Sequence, residues 1–142
     1  MPMPISTKAE KYLSKSDRFE RLQGTLPPQY AKVFNPDEGE ECIGLFYNSP
    51  GQLHELILIT DKGIYIAENE LNCKFIGYSD IVSIDWLGKT KREMADHEEK
   101  RVLVVELKNG RVEHCPARID FAQLHTFLNG AMLIKRILDS KC

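Results

Sequence analysis

The chain has 142 residues, 42% of them hydrophobic and 28% charged. These values describe one ordinary domain with some extra segment, and exclude both two full domains and a disordered polymer. Its 19 basic and 21 acidic side chains give a formal net charge of −2, so it lacks the basic excess on which nucleic-acid binding depends, and no nucleic-acid partner is expected.

No run of about 18 apolar residues is present to span a membrane. The opening Met1-Pro2-Met3-Pro4-Ile5 has no apolar segment of the secretory kind, so a cytoplasmic location is expected. A chain of this size can bury roughly 68% of its unfolded surface and needs neither disulfide nor metal to fold.

From the N-terminus, residues 6–23 carry helical spacing. Ala9, Tyr12, Leu13, Phe19 and Leu22 form an interrupted apolar face, Ser6 or Thr7 can cap it, and Gly24 can stop it. Pro27 and Pro28 suit the first turn of a short second helix reaching Phe34. Asn35-Pro36-Asp37-Glu38-Gly39-Glu40-Glu41 is a polar turn. The expected organisation is a helical extension over 1–37 followed by a β-domain over 38–142.

After residue 41 the period changes to that of strands. Strands are predicted over 42–47, 53–60, 64–68, 73–78, 81–86, 101–108 and 111–115. Asp61-Lys62-Gly63 reads as a tight hairpin with Gly63 at positive φ. Val82, Ile84 and Trp86 should share one face of the fifth predicted strand. Asn109-Gly110 reads as a two-residue hairpin turn, which would set His114 opposite Val105.

Cys42, Cys73, Cys115 and Cys142 form no C-x-x-C pair. They read as free thiols, the first three as small buried hydrophobes in strands. Helical period returns over 121–138, with Asp120 and Gln123 as a loose capping box. Its stripe is Leu124, Phe127, Leu128, Ala131, Ile134 and Leu138. Gly130 is expected where that helix closely approaches the sheet.

This order of elements, seven short strands and then one amphipathic helix, resembles the bacterial pleckstrin-homology-like families. Three features carry the resemblance over about residues 38–139. They are the acidic lead Glu38-Gly39-Glu40, the apolar strands around Thr60-Asp61-Lys62, and the entry Tyr78-Ser79-Asp80-Ile81. The resemblance implies an α+β, mostly β fold: an open barrel of about seven antiparallel strands closed by a C-terminal helix. It also implies a non-enzymatic interaction or assembly module.

Lipid-binding members of that fold carry Lys and Arg in the first hairpin loop. Here the loop is Asn48-Ser49-Pro50-Gly51-Gln52, with neither. A basic patch of Lys89, Lys91 and Arg92 lies instead in the segment 87–100, opposed there by Glu93, Asp96, Glu98 and Glu99. Neither His54-Glu55 nor His97-Glu98-Glu99 fits H-E-x-x-H, because Leu58 and Arg101 stand where the second histidine would be. No serine sits in a Gly-x-Ser-x-Gly elbow and there is no P-loop. No metal, cofactor or catalytic residue is therefore assigned.

The closing helix carries more apolar surface than one buried stripe needs. Ile119, Phe121, Met132, Leu133 and Ile137 form a candidate interface, to be covered by residues 6–34 or by a partner. The expected function is a protein-interaction or assembly module binding another chain or itself. A headgroup-binding membrane-surface module is the alternative, requiring Lys74 or Arg111 to converge with the basic patch. A small-ligand binder or an enzyme of unfamiliar type is the third.

Overall fold

A computed structural model describes residues 5–14, 16–48, 55–68, 72–86, 102–116 and 121–140. Among them lie eight strands and three α-helices, an α+β fold that is mostly strand. The first sheet is antiparallel and five-stranded: β1 (Phe19–Gly24), β2 (Cys42–Phe46), β3 (Leu56–Thr60), β4 (Gly63–Ala67) and β5 (Cys73–Gly77), in that order. The second is antiparallel and three-stranded: β6 (Ile81–Trp86), β7 (Val102–Leu107) and β8 (Val112–Pro116). Helices α1 (Ile5–Leu13), α2 (Pro28–Phe34) and α3 (Phe121–Ser140) pack on these sheets. No ladder joins the two sheets among the described residues, so the strands form two open sheets.

The helix expected over 6–23 ends at Leu13, and residues 19–24 are a strand paired with β2 (Phe19 with Phe46, Arg21 with Gly44). Phe19 and Leu22 are three apart, which fits one helix face. In a strand of period two they point to opposite faces. Both faces of this sheet are covered, so an apolar residue suits either side. Ser16 makes the break: its hydroxyl accepts from Arg18 N, and its carbonyl accepts from Phe19 N.

One face of the five-stranded sheet forms the main core. Phe46, Ile57, Ile59, Ile64, Ile66 and Ile76 meet Leu103, Val105 and Cys115 of the second sheet and the stripe of α3. The other face is covered by α2, where Phe34 meets Leu45, Leu56, Leu58 and Ala67. Burial on both sides explains why β3 reads Leu-Ile-Leu-Ile-Thr without a polar alternation. Each such side chain fully buried is worth about 1.5–3 kcal/mol.

The turns depart from expectation in detail. Gly63 does not have positive φ. Thr60 closes the β3–β4 hairpin instead: its hydroxyl accepts from Lys62 N and Gly63 N and donates to Gly63 O. Gly63 is required for space, because a Cβ there would lie 2.3 Å from Ile76 O.

The β7–β8 connection has three loop residues rather than two. Leu107 N donates to Arg111 O, and Gly110 takes φ +84°. That one-residue shift sets His114 opposite Val104, not Val105, on the exposed face of the sheet. An irregularity between Ile81 and Ser83 also removes Val82 from the face of Ile84. Ile81 is buried, while Val82 is exposed.

Helix α1 lies against α3. Ile5, Ala9 and Leu13, at helical spacing, join Leu124, Phe127, Leu128 and Ala131 in the main core. Gly130 meets the Lys8 side chain of α1, with Cδ 3.4 Å from where its Cβ would stand, and not the sheet. Cover of the closing helix therefore comes from α1, while α2 covers the far face of the sheet.

Candidate functional site

Strands β5 and β8 are each an edge strand of their sheet, and a side-chain ion pair links them. Lys74 of β5 reaches Glu113 of β8 at 3.5 Å and Glu68 at 3.7 Å. Arg111 pairs with the same Glu113. Two cavities flank this cluster, each lined from both sheets. One, of about 440 Å³, lies among Glu55, Ile66, Val102, His114 and Pro116. The other, of about 230 Å³, lies between Phe75 and Gly77 on one side and Leu107, Asn109 and Arg111 on the other.

A third cavity, of about 460 Å³, shares Phe75, Gly77 and Asp80 with the second and extends over the outer face of the five-stranded sheet. Asn35 stands at its edge. That residue ends α2 in the left-handed conformation (φ 45°, ψ 57°), its N–H donating to Ala31 O. The chain then makes a tight turn in which Glu40 N donates to Asp37 O at 3.1 Å, with Gly39 at φ +86° supplying the conformation. The Glu40 carboxylate folds back over this turn. Its Oε1 accepts from Asp37 N (3.1 Å) and from the Tyr65 hydroxyl (2.9 Å).

Glu40 is only 7% exposed, and its Oε2 has no partner among the described residues. Buried carboxylate oxygens are normally satisfied, so this atom marks an unfinished polar site. Burial first, and then the bond to Glu40, raises the Tyr65 phenol above its ordinary pKa, so it stays a proton donor at neutral pH. The Tyr65 ring packs against Phe75 at 4.7 Å, and Phe75 is 46% exposed. An aromatic wall and a buried carboxylate thus face one cavity.

The residues expected to carry function are distributed differently. Met132 is buried in the main core, whereas Leu133 is 52% exposed. The side chains of Phe121 and Ile137, and all of Ile119, lie outside the described residues. Lys89, Lys91 and Arg92 lie outside them too. Lys74 and Arg111 both pair with Glu113, and Lys74 also with Glu68; whether either meets the basic patch lies outside the described residues. Cys73 is exposed rather than buried; Cys42 and Cys115 are buried. Burial pushes the Cys115 thiol up to about 12, against a smaller downward pull from Lys74, so the thiolate is absent at neutral pH.

Tyr65 and Phe75 were not distinguishable as site residues in the sequence, and Glu40 stood out only as part of an acidic lead. The available signal was weak: an aromatic at the outward position of Gly-Ile-Tyr-Ile-Ala, paired across the ladder with the aromatic of Cys-Lys-Phe-Ile-Gly. Among the described residues no group of three His, Cys, Asp or Glu converges to hold a metal, and no helix is long and apolar enough to cross a membrane. Compared with protein-family models, curated proteins and solved structures, the chain has no match to any of the three.

Proposed function

We propose that the chain is a non-catalytic protein-interaction module of the pleckstrin-homology-like type, acting in the cytoplasm, and that its binding surface is the groove between β5 and β8. The observation that carries this is the link between two sheet edges at Lys74–Glu113, with Phe75 lining a cavity that both sheets form. Edge strands present backbone donors and acceptors that an extended peptide can pair with, while pockets beside them select side chains. Here the pockets lie on both sides of the Lys74–Glu113 pair. The element order from β2 to α3, seven strands and one closing helix, supports the pleckstrin-homology-like part of the proposal.

The headgroup-binding alternative draws less support. Glu113 and Glu68 pair with Lys74 and Arg111, two of the three cations beside the groove that a phosphate would use, Lys108 being the third.

Selection of linear peptides from a random displayed library against the purified chain tests the proposal. Enriched sequences should shift the backbone amides of 73–77 and 112–116 in NMR spectra. Phe75→Asp should weaken them at least tenfold while the chain stays folded at the assay temperature. No enrichment, or peptides indifferent to Phe75→Asp, overturns it. Sedimentation with phosphatidylserine vesicles that depends on Arg111 would favour the headgroup alternative instead.

A further inference from the structure

We infer that the cavity between Asp37, Glu40, Tyr65, Phe75 and Asp80 is a binding site for a guanidinium or ammonium group, with a guanidinium the better fit. The inference goes beyond the groove reading and stands whether or not the groove takes a peptide.

Three features converge on this chemistry. The first is charge: Asp37, Glu40 and Asp80 face the cavity with Lys62 as the one cation among its lining residues. The second is Glu40 itself. More than nine-tenths of this residue is buried, and it lines the cavity. Its Oε1 is fully engaged by Asp37 N and the Tyr65 hydroxyl, while Oε2 lacks a donor among the described residues. A carboxylate is an acceptor only, so what the site lacks is a donor, and a charged donor serves best.

The third feature is the aromatic wall. Tyr65 and Phe75 meet at 48°, with Phe75 open to solvent on one side. A cation is attracted to such ring faces. Guanidinium adds a planar shape that stacks on them, weak hydration that eases its entry, and a fork of donors able to meet Glu40 and a second carboxylate together.

The guanidinium can come from a free small molecule or from an arginine side chain of a partner chain, and both are tested with the whole 142-residue chain. NMR titration with Nα-acetyl-arginine amide should give saturable shifts at Tyr65, Phe75 and Gly77. The citrulline counterpart, equal in shape but uncharged, should bind at least tenfold more weakly. Glu40→Gln should weaken the arginine probe at least tenfold. Because that change touches the Asp37 turn, Asp80→Asn serves as a second variant and should weaken it severalfold with Tm unaltered.

A peptide with one central arginine that binds tenfold tighter than the capped amino acid identifies a partner side chain as the source. Equal binding of the two identifies a free ligand. Citrulline binding as tightly as arginine, absence of saturable shifts, or arginine binding unchanged in both variants overturns the inference.

Discussion

The two faces of the five-stranded sheet are both covered, yet they are built to different standards. On the inner face, isoleucines of β3, β4 and β5 meet a second sheet and two helices, and the residues there are almost wholly buried. On the outer face a helix of seven residues covers Leu45, Leu56 and Leu58 and then ends at Asn35. Beyond that point Tyr65 is half-buried beside a buried carboxylate, and Phe75 stands open to solvent. Tightly packed cores resist change, and regions that bind are drawn from the less covered parts of a fold. The sheet is thereby a scaffold on one side and a candidate binding surface on the other.

The largest test of that contrast sets two phenylalanines against each other. Phe127 is fully buried on the inner side and meets the Tyr78 ring edge-on at 6.1 Å. Phe127→Ala should cost about 3–5 kcal/mol in urea unfolding. Phe75→Ala removes a half-exposed ring and should cost under about 1 kcal/mol. A Phe75 penalty close to that of Phe127 would make the outer aromatic pair part of the structural core and remove the contrast.

Gly63→Ala probes the same outer face in the opposite sense. Its φ is compatible with alanine, but the new methyl would stand 2.3 Å from Ile76 O and 2.8 Å from the Phe75 ring. The carbonyl belongs to the ladder partner and cannot swing away as a side chain can. Strand separation should cost about 2 kcal/mol or more. If combining Gly63→Ala with Phe75→Ala recovers most of the loss, the ring rather than the ladder is the tight contact. The expected result is little recovery.

These positions also show how much of the fold the sequence disclosed. Strand periodicity placed seven of the eight strands, because alternation and turn residues are local properties. Strand β1 escaped, since Phe19 and Leu22 belong to different faces of a sheet buried on both sides. Hairpin register escaped at Asn109-Gly110, where Gly110 at φ +84° accommodates one more loop residue than the dipeptide suggests. The site escaped for a stronger reason. Glu40 becomes a buried, half-satisfied carboxylate only when Tyr65, twenty-five residues away, meets it, and pairing at that separation leaves no local pattern.

The inner face should also announce itself in pH dependence. Burial raises Cys115 from an ordinary value of 9.0 to about 12. Between those values the folded protein holds a proton that the unfolded chain releases, so stability falls as pH rises. The contribution is fully present below about 9, and its slope approaches 1.4 kcal/mol per pH unit before flattening near 12. Tyr47, Tyr65 and Tyr78 are raised in the same direction, chiefly by burial, and steepen the fall further at high pH. Urea midpoints for wild type and Cys115→Ala across pH 8 to 11 isolate the thiol. The variant should be less stable at pH 8 but lose stability less steeply above 9. Parallel curves would mean that the β8 edge opens to water, which would move the boundary between the two faces.

The smallest expected effect comes from the helix pair that closes the inner side. Gly130 sits inside α3, where alanine is favoured over glycine by about 1 kcal/mol through backbone entropy. The nearest atoms a Cβ there would meet are the outer methylenes of Lys8, at 3.4 and 3.6 Å, and its Nζ at 3.9 Å. Those atoms end a flexible chain, and its ammonium lies 5.5 Å from the Tyr12 ring, so the side chain can shift without moving α1. Gly130→Ala should therefore stabilise the protein by up to about 1 kcal/mol, a Tm rise of about 2–4 °C. A fall in Tm would show that α1 and α3 touch through backbone rather than through the Lys8 stem. The N-terminal helix would then be as firmly seated as the core beneath it, and the short α2 would be left as the one loosely fitted cover in the fold.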